Sequence, residues 1–140
     1  MAEARDVVRR VEEAWAANDL GVIDHLVAED LVSHDAIPGS PPGREGAKAA
    51  HQMSMASFPD RTMTIEDVVG EGDRVAVRTT VRGTNTGGLP WMGVPANGAK
   101  IEIEAISVYR VADGRVVEHW GQNDAMRLMS QLGVAPPVRA

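Results

Sequence analysis

Two hydrophobic periods divide the chain, a helical one up to about residue 57 and a strict alternation from Met63 onward. Residues 3–17 set Val7, Val8, Val11, Ala14 and Trp15 three and four positions apart, with Arg9, Arg10, Glu12 and Glu13 between them, and this predicts an amphipathic helix ending near Asn18-Asp19. A second helix is predicted over 20–27, with Val22, Ile23, Leu26 and Val27 on one face. The run 31–35, Leu31-Val32-Ser33-His34-Asp35, is short and partly alternating. Prolines and glycines then make 37–43 a loop, and a third helix is expected over 44–57, carrying His51, Met53 and Met55.

The second half reads as strands. Residues 63–69 and 74–83 flank a turn at Gly70-Glu71-Gly72-Asp73, and Val75, Val77, Thr79 and Val81 share one face of the second strand. The stretch 84–99, rich in glycine and containing Pro90, Trp91 and Pro95, is a long excursion of the kind that often carries function. Residues 100–111 and 115–124 alternate again around Asp113-Gly114, a favoured hairpin pair. Helices followed by an antiparallel meander make an α+β fold in one domain spanning 1–140, and a curled sheet wrapped around helices encloses an apolar cone suited to a small molecule.

Composition narrows the function. A net charge of -6 argues against a nucleic-acid footprint, and the absence of cysteine removes disulfides, thiolate metal sites and cysteine nucleophiles. The first residues lack the apolar core of a signal peptide and no apolar run approaches a membrane span, so no membrane role and a cytoplasmic location are expected. With 4% aromatic residues, aliphatic side chains and seven Met must fill most of the interior. No nucleophile elbow or phosphate-cradling loop is present, and none of the four histidines has metal-ligand spacing, so neither metal nor cofactor is expected.

The candidate chemistry sits on the last strand. Strict alternation puts Val116, Glu118, Trp120, Gln122 and Asp124 on one side and Val117, His119, Gly121 and Asn123 on the other. Asp124 in an apolar cavity would have a raised pKa and serve as general base and acid; equally, it could cap the helix that starts at Ala125. Trp120 and Gln122 share its face, while His34 and His51 are candidates to polarise or orient a substrate. Trp15 on the first helix is a candidate for reaching the cone, and Trp91 for covering it. His119 falls opposite Asp124 and is left out, as is His25.

Phe58-Pro59-Asp60, Glu71-Gly72-Asp73-Arg74-Val75-Ala76-Val77-Arg78, Gly83-Thr84-Asn85-Thr86-Gly87 and Val117-Glu118-His119-Trp120 through Asp124 to Gln131-Leu132-Gly133 follow one another in order, with His34 before them. Together they resemble the SnoaL-like polyketide cyclase (ester cyclase) family of the nuclear-transport-factor-2-like superfamily, over residues 5–134. The resemblance implies a cone-shaped, curved antiparallel β-sheet wrapped around N-terminal helices, an α+β barrel of the cystatin and ketosteroid isomerase kind, usually in a homo-oligomer. It also implies cofactor-independent closure of an aromatic polyketide ring by intramolecular aldol condensation, with Asp124 matching the catalytic aspartate. Where the family often has His, this chain has Asn85. Related proteins are hydroxylases, dehydratases, isomerases, epoxide hydrolases or noncatalytic binding domains.

Overall fold

The computed structural model describes residues 3–134. Helix α1 (Ala4–Ala16) turns into α2 (Leu20–Leu26) through Asn18, which takes the left-handed conformation at φ 56°. Asp19 caps α2 by accepting the Val22 N–H at 3.3 Å. Strand β1 (Val27–Ser33) starts with no intervening loop, so it is longer than the 31–35 run suggested. Then follow α3 (Gly43–Ser57), β2 (Thr62–Glu71), β3 (Arg74–Thr84), a single 3-10 turn at Pro90–Met92, β4 (Lys100–Ala112), β5 (Arg115–Asn123) and α4 (Ala125–Gln131). Asp113 and Gly114, at φ 52° and 75°, make the tight β4–β5 turn that needs two left-handed residues.

The sheet order is β1-β5-β4-β3-β2. The last four strands form the expected antiparallel meander, while β1 adds to the free edge of β5 in parallel, which makes the sheet mixed. A parallel neighbour needs a long crossover, and here everything from α3 to β4 provides it.

The concave face of the sheet holds α1 and α2. Val7, Val8, Val11 and Ile23, each no more than 1% exposed, pack on Val75, Val77, Val111 and Val116. Each such side chain contributes roughly 1.5–3 kcal/mol by leaving water. Glu12 is the exception to the sequence pattern: placed there on the polar side of α1, it is buried at 4% exposure. A second cluster, Phe58, Leu89, Val94, Ile101, Ile103 and Leu132, closes the other end of the cone beneath the excursion after β3. Asn85 is fully buried in that excursion, its amide donating to the Pro95 carbonyl and Asn97 Oδ1 and its oxygen accepting the Gly88 N–H. It fixes the loop, with both amide hydrogens committed.

Candidate functional site

The site depends on one bulge. Across the β4–β5 ladder Tyr109 faces His119 and Arg110 faces Glu118, but Val111 faces Val116, so Val117 is an extra residue on β5. The bulge reverses parity along the strand. Val116 and, beyond the bulge, His119 both point inward and line the cavity, with Gly121 following on the same side as His119.

That cavity has a volume of about 500 Å³, within the usual range for small-molecule sites. Its walls are mostly apolar, with Val11 and Trp15 from α1, Leu31 from β1, Ile37 and Pro38 from the following loop, and Ala47 and Ala50 from α3. Polarity comes from Ser33, Asp35, Ser40, Tyr109 and His119. Asp35 follows the inward parity of Leu31 and Ser33 just past the end of β1, and the parallel pairing of Ser33 with His119 sets it beside β5.

Asp35 Oδ1 lies 2.9 Å from His119 Nδ1 and accepts the Ser33 hydroxyl at 2.9 Å. Among the described residues no side chain bonds Oδ2, which stands over the backbone of Gly121. A methyl group at Gly121 would sit 2.6 Å from Oδ2 and 2.9 Å from His119 Cε1, so the absent side chain makes the space for the carboxylate. Burial works to raise the Asp35 pKa, but the hydrogen bond and positive character of His119, together with the Ser33 bond, outweigh it and hold the carboxyl below its ordinary 3.8. The far imidazole nitrogen, Nε2, is 3.1 Å from Ser107 Oγ, and the His119 ring packs on Tyr109 at 4.8 Å. Both ring nitrogens are therefore committed, which fixes the imidazole beside an Asp35 carboxylate that stands at the rim of the cavity with 38% of its side chain exposed.

The residues expected from sequence fare differently. Trp15 lines the cavity and packs on His51 at 4.9 Å. His51 itself is buried behind that tryptophan, bonded through Nε2 to Asn18 Oδ1 at 2.8 Å and approached by Arg61 at 3.4 Å, and it is not part of the cavity wall. Burial and the nearby Arg61 cation lower its pKa from 6.5 to about 4. The folded protein thus binds fewer protons there than the unfolded chain between these values, so stability is full above pH 6.5 and declines as pH falls toward 4. Urea unfolding midpoints measured through that window should drop on acidification, and His51→Gln should flatten the slope.

Asp124, Trp120, Gln122, His34 and Trp91 lie elsewhere. Asp124 is exposed and caps α4, accepting the Arg127 N–H at 3.1 Å, and it borders a shallow groove with Thr80, Arg82, Glu102 and Glu104 on the outer side of the sheet. Of the two roles open to it, capping is the one its geometry provides. Asp124→Ala should cost about 1 kcal/mol in stability, the usual value of a cap, and leave turnover within about threefold of the parent; calorimetry and initial rates check both. Trp120 and Gln122 turn outward because of the bulge at Val117. His34 also faces out, stacked on Trp120 with ring centroids 4.8 Å apart and bonded through Nε2 to Glu118 at 2.7 Å. Arg74 covers the same indole at 4.9 Å. Trp91, 48% exposed in the 3-10 turn, does not reach the cavity.

Asp35, Ser33, Tyr109 and His119 were missed as a group. Asp35 carries the parity of Leu31 and Ser33, a visible signal, but only the β1–β5 pairing shows that this face meets His119. Among the described residues no group of three or more His, Asp or Glu side chains is placed to hold a metal ion, and no helix is long and apolar enough to cross a membrane.

Comparison with known proteins gives the same architecture. The model of the SnoaL-like polyketide cyclase family matches residues 5–132. The aklanonic acid methyl ester cyclase DnrD of Streptomyces peucetius is 26% identical over 142 residues, covering 99% of this chain and 96% of the cyclase. The crystal structure of IdmH, a candidate polyketide cyclase from Streptomyces antibioticus, superposes with a TM-score of 0.80 at 39% identity, covering 95% of this chain and all of that one. AclR, a candidate hydroxylase from Streptomyces galilaeus, gives 0.80 at 30% identity over 99% of this chain and 90% of its own. With the match running from α1 through α4, the chain belongs to the SnoaL-like polyketide cyclase family.

Proposed function

We propose that the protein closes a ring in a hydrophobic, carbonyl-rich polyketide by intramolecular aldol condensation, with Asp35 as the acid/base and no cofactor. The observation that carries this is the Asp35 carboxylate at the exposed rim of a mostly apolar cavity, with Oδ1 held by His119 and Ser33. Oδ2 takes a proton from a carbon flanked by carbonyls. The resulting enolate carbon attacks a ketone carbon elsewhere in the same molecule, forming one C–C bond and turning the C=O into an alkoxide, which receives the proton back from Asp35. Atoms balance and nothing leaves. Delocalisation over the substrate's own carbonyls carries most of the charge, so a positioned base and a close-fitting wall are sufficient.

The held-down pKa of Asp35 keeps it ionised at neutral pH, ready to accept. Activity should therefore fall only as pH drops through a value below the ordinary 3.8 of an aspartate, on the limb belonging to this group. Aklanonic acid methyl ester, named for the Streptomyces peucetius cyclase, is the first substrate to assay. Conversion to a product of unchanged mass supports ring closure.

The similarity to AclR favours a second reading, hydroxylation in the same cavity. Mass spectrometry separates the two, because hydroxylation adds an oxygen and aldol closure adds nothing. We further propose that the protein acts as a homo-oligomer, to which the exposed Val69 and Ile106 would contribute apolar contact; light scattering at the working concentration tests this.

A further inference from the structure

His34 and Asp35 are neighbours in the chain, yet they grip β5 from opposite sides. Asp35 meets His119 on the cavity side, while His34 Nε2 donates to Glu118 Oε2 on the outer side at 2.7 Å. The outer grip is built from several contacts. Glu118 Oε1 accepts the Arg110 Nε–H at 2.8 Å, so its cross-strand neighbour on β4 already holds the carboxylate that His34 meets. The His34 ring lies flat on Trp120, 3° from parallel, and Arg74 packs over the same indole. Arg74 and Arg110 are themselves paired across β3 and β4, two like charges side by side, and each is taken up by one of these partners.

The backbone gives Asp35 little support of its own. Strand β1 pairs with β5 at Val27 and, after an irregular stretch, again only at Val32 and Ser33. The His34 N–H then donates to the His119 carbonyl at 2.9 Å. Asp35 stands in the turn that follows, and among the described residues the backbone of 36–42 makes no bond to the sheet.

We infer that His34, held by Glu118 and Trp120, is the positioning residue for Asp35, locking the end of β1 with residue 34 outside and residue 35 inside. The inference rests on Asp35 being the base. Successive side chains of an extended chain point to opposite faces, so an anchored His34 commits the next side chain to the cavity. Leu31, buried in the core, fixes the strand only upstream of the turn. The clamp contributes position more than stability. With 43% of the His34 side chain exposed, its pairing with Glu118 adds little to the folded state. Displacement of a reacting group by around 1 Å, in contrast, can cost about a hundredfold in rate.

Imidazole 15N spectra of the full chain without substrate should show His34→Ala displacing the His119 Nδ1 signal, because Asp35 Oδ1 is the partner of that nitrogen. Glu118→Ala should displace it in the same direction, and the double variant no further than His34→Ala alone. His34→Gln, whose amide can still donate to Glu118, should restore most of the parent signal. Arg78→Ala, which breaks the outer-face ion pairs to Asp67 and Glu104, should leave it in place. An unmoved signal in His34→Ala, or an equal displacement in Arg78→Ala, overturns the clamp. Should His34→Ala not fold, Glu118→Ala breaks the same bond and is read by the same outcomes. With substrate, His34→Ala should lower kcat about ten- to a hundredfold at near-constant KM, with an unfolding midpoint close to the parent's. Parent-like kcat in His34→Ala while Asp35→Asn is inactive also overturns it. The His119 signal is read without turnover, so it reports on the clamp even where Asp35→Asn keeps its rate and the base is another group.

Discussion

Asp35→Asn should lower kcat by about two to four orders of magnitude, the span that a positioned general acid–base group supplies, while leaving the fold intact. The amide matches the carboxylate in shape, and its oxygen can still accept from Ser33 and the His119 Nδ1–H. What it lacks is a basic Oδ2. Substrate affinity should change little, because the wall that surrounds the ligand is apolar and comes from α1, β1, α3 and the loop after β1. A large loss in kcat with near-constant KM and an unchanged circular dichroism spectrum is the expected pattern. A loss of folded protein instead would make Asp35 a structural group.

Gly121→Ala should be the second strongest effect. Its new methyl would stand 2.6 Å from Asp35 Oδ2 and 2.9 Å from His119 Cε1, closer than real Cβ contacts allow. The obstructing atoms are side-chain ends, so the backbone of β5 can stay while the carboxylate swings aside. Displacement of a reacting group by around 1 Å can cost about a hundredfold in rate, and a loss of that order should appear with less than about 1 kcal/mol of destabilisation in urea titration. Little change in rate would mean that the position of Oδ2 over Gly121 is immaterial.

The helices and the meander were legible because their signals are local. Val7, Val8 and Val11 repeat at helical spacing, Asp113-Gly114 supplies the two left-handed turn residues, and Val75 to Val81 alternate without interruption. The site was not, because it depends on pairings between distant segments. The extra residue Val117 has no signature of its own, yet it reverses the side on which Trp120, Gln122 and His119 lie. Strict alternation therefore selected the face of β5 that the structure turns away from the cavity, and Asp124, beyond the strand's end, caps α4. His34 and Asp35 are adjacent, and only the parallel docking of β1 on β5 decides that the aspartate faces in and the histidine out. Glu12 shows the same limit: a charged residue in the polar rhythm of a helix is found buried because the sheet curls far enough to bring Tyr109 over it.

The most direct test of Asp35 as the base is exchange of the acidic carbon-bound hydrogen of aklanonic acid methyl ester into deuterated solvent, followed in parallel for the parent protein, Asp35→Asn and Asp124→Asn. Enzyme-dependent exchange in the parent and in Asp124→Asn, with none above background in Asp35→Asn, is the predicted result. Exchange that survives in Asp35→Asn, or that disappears in Asp124→Asn, would contradict it.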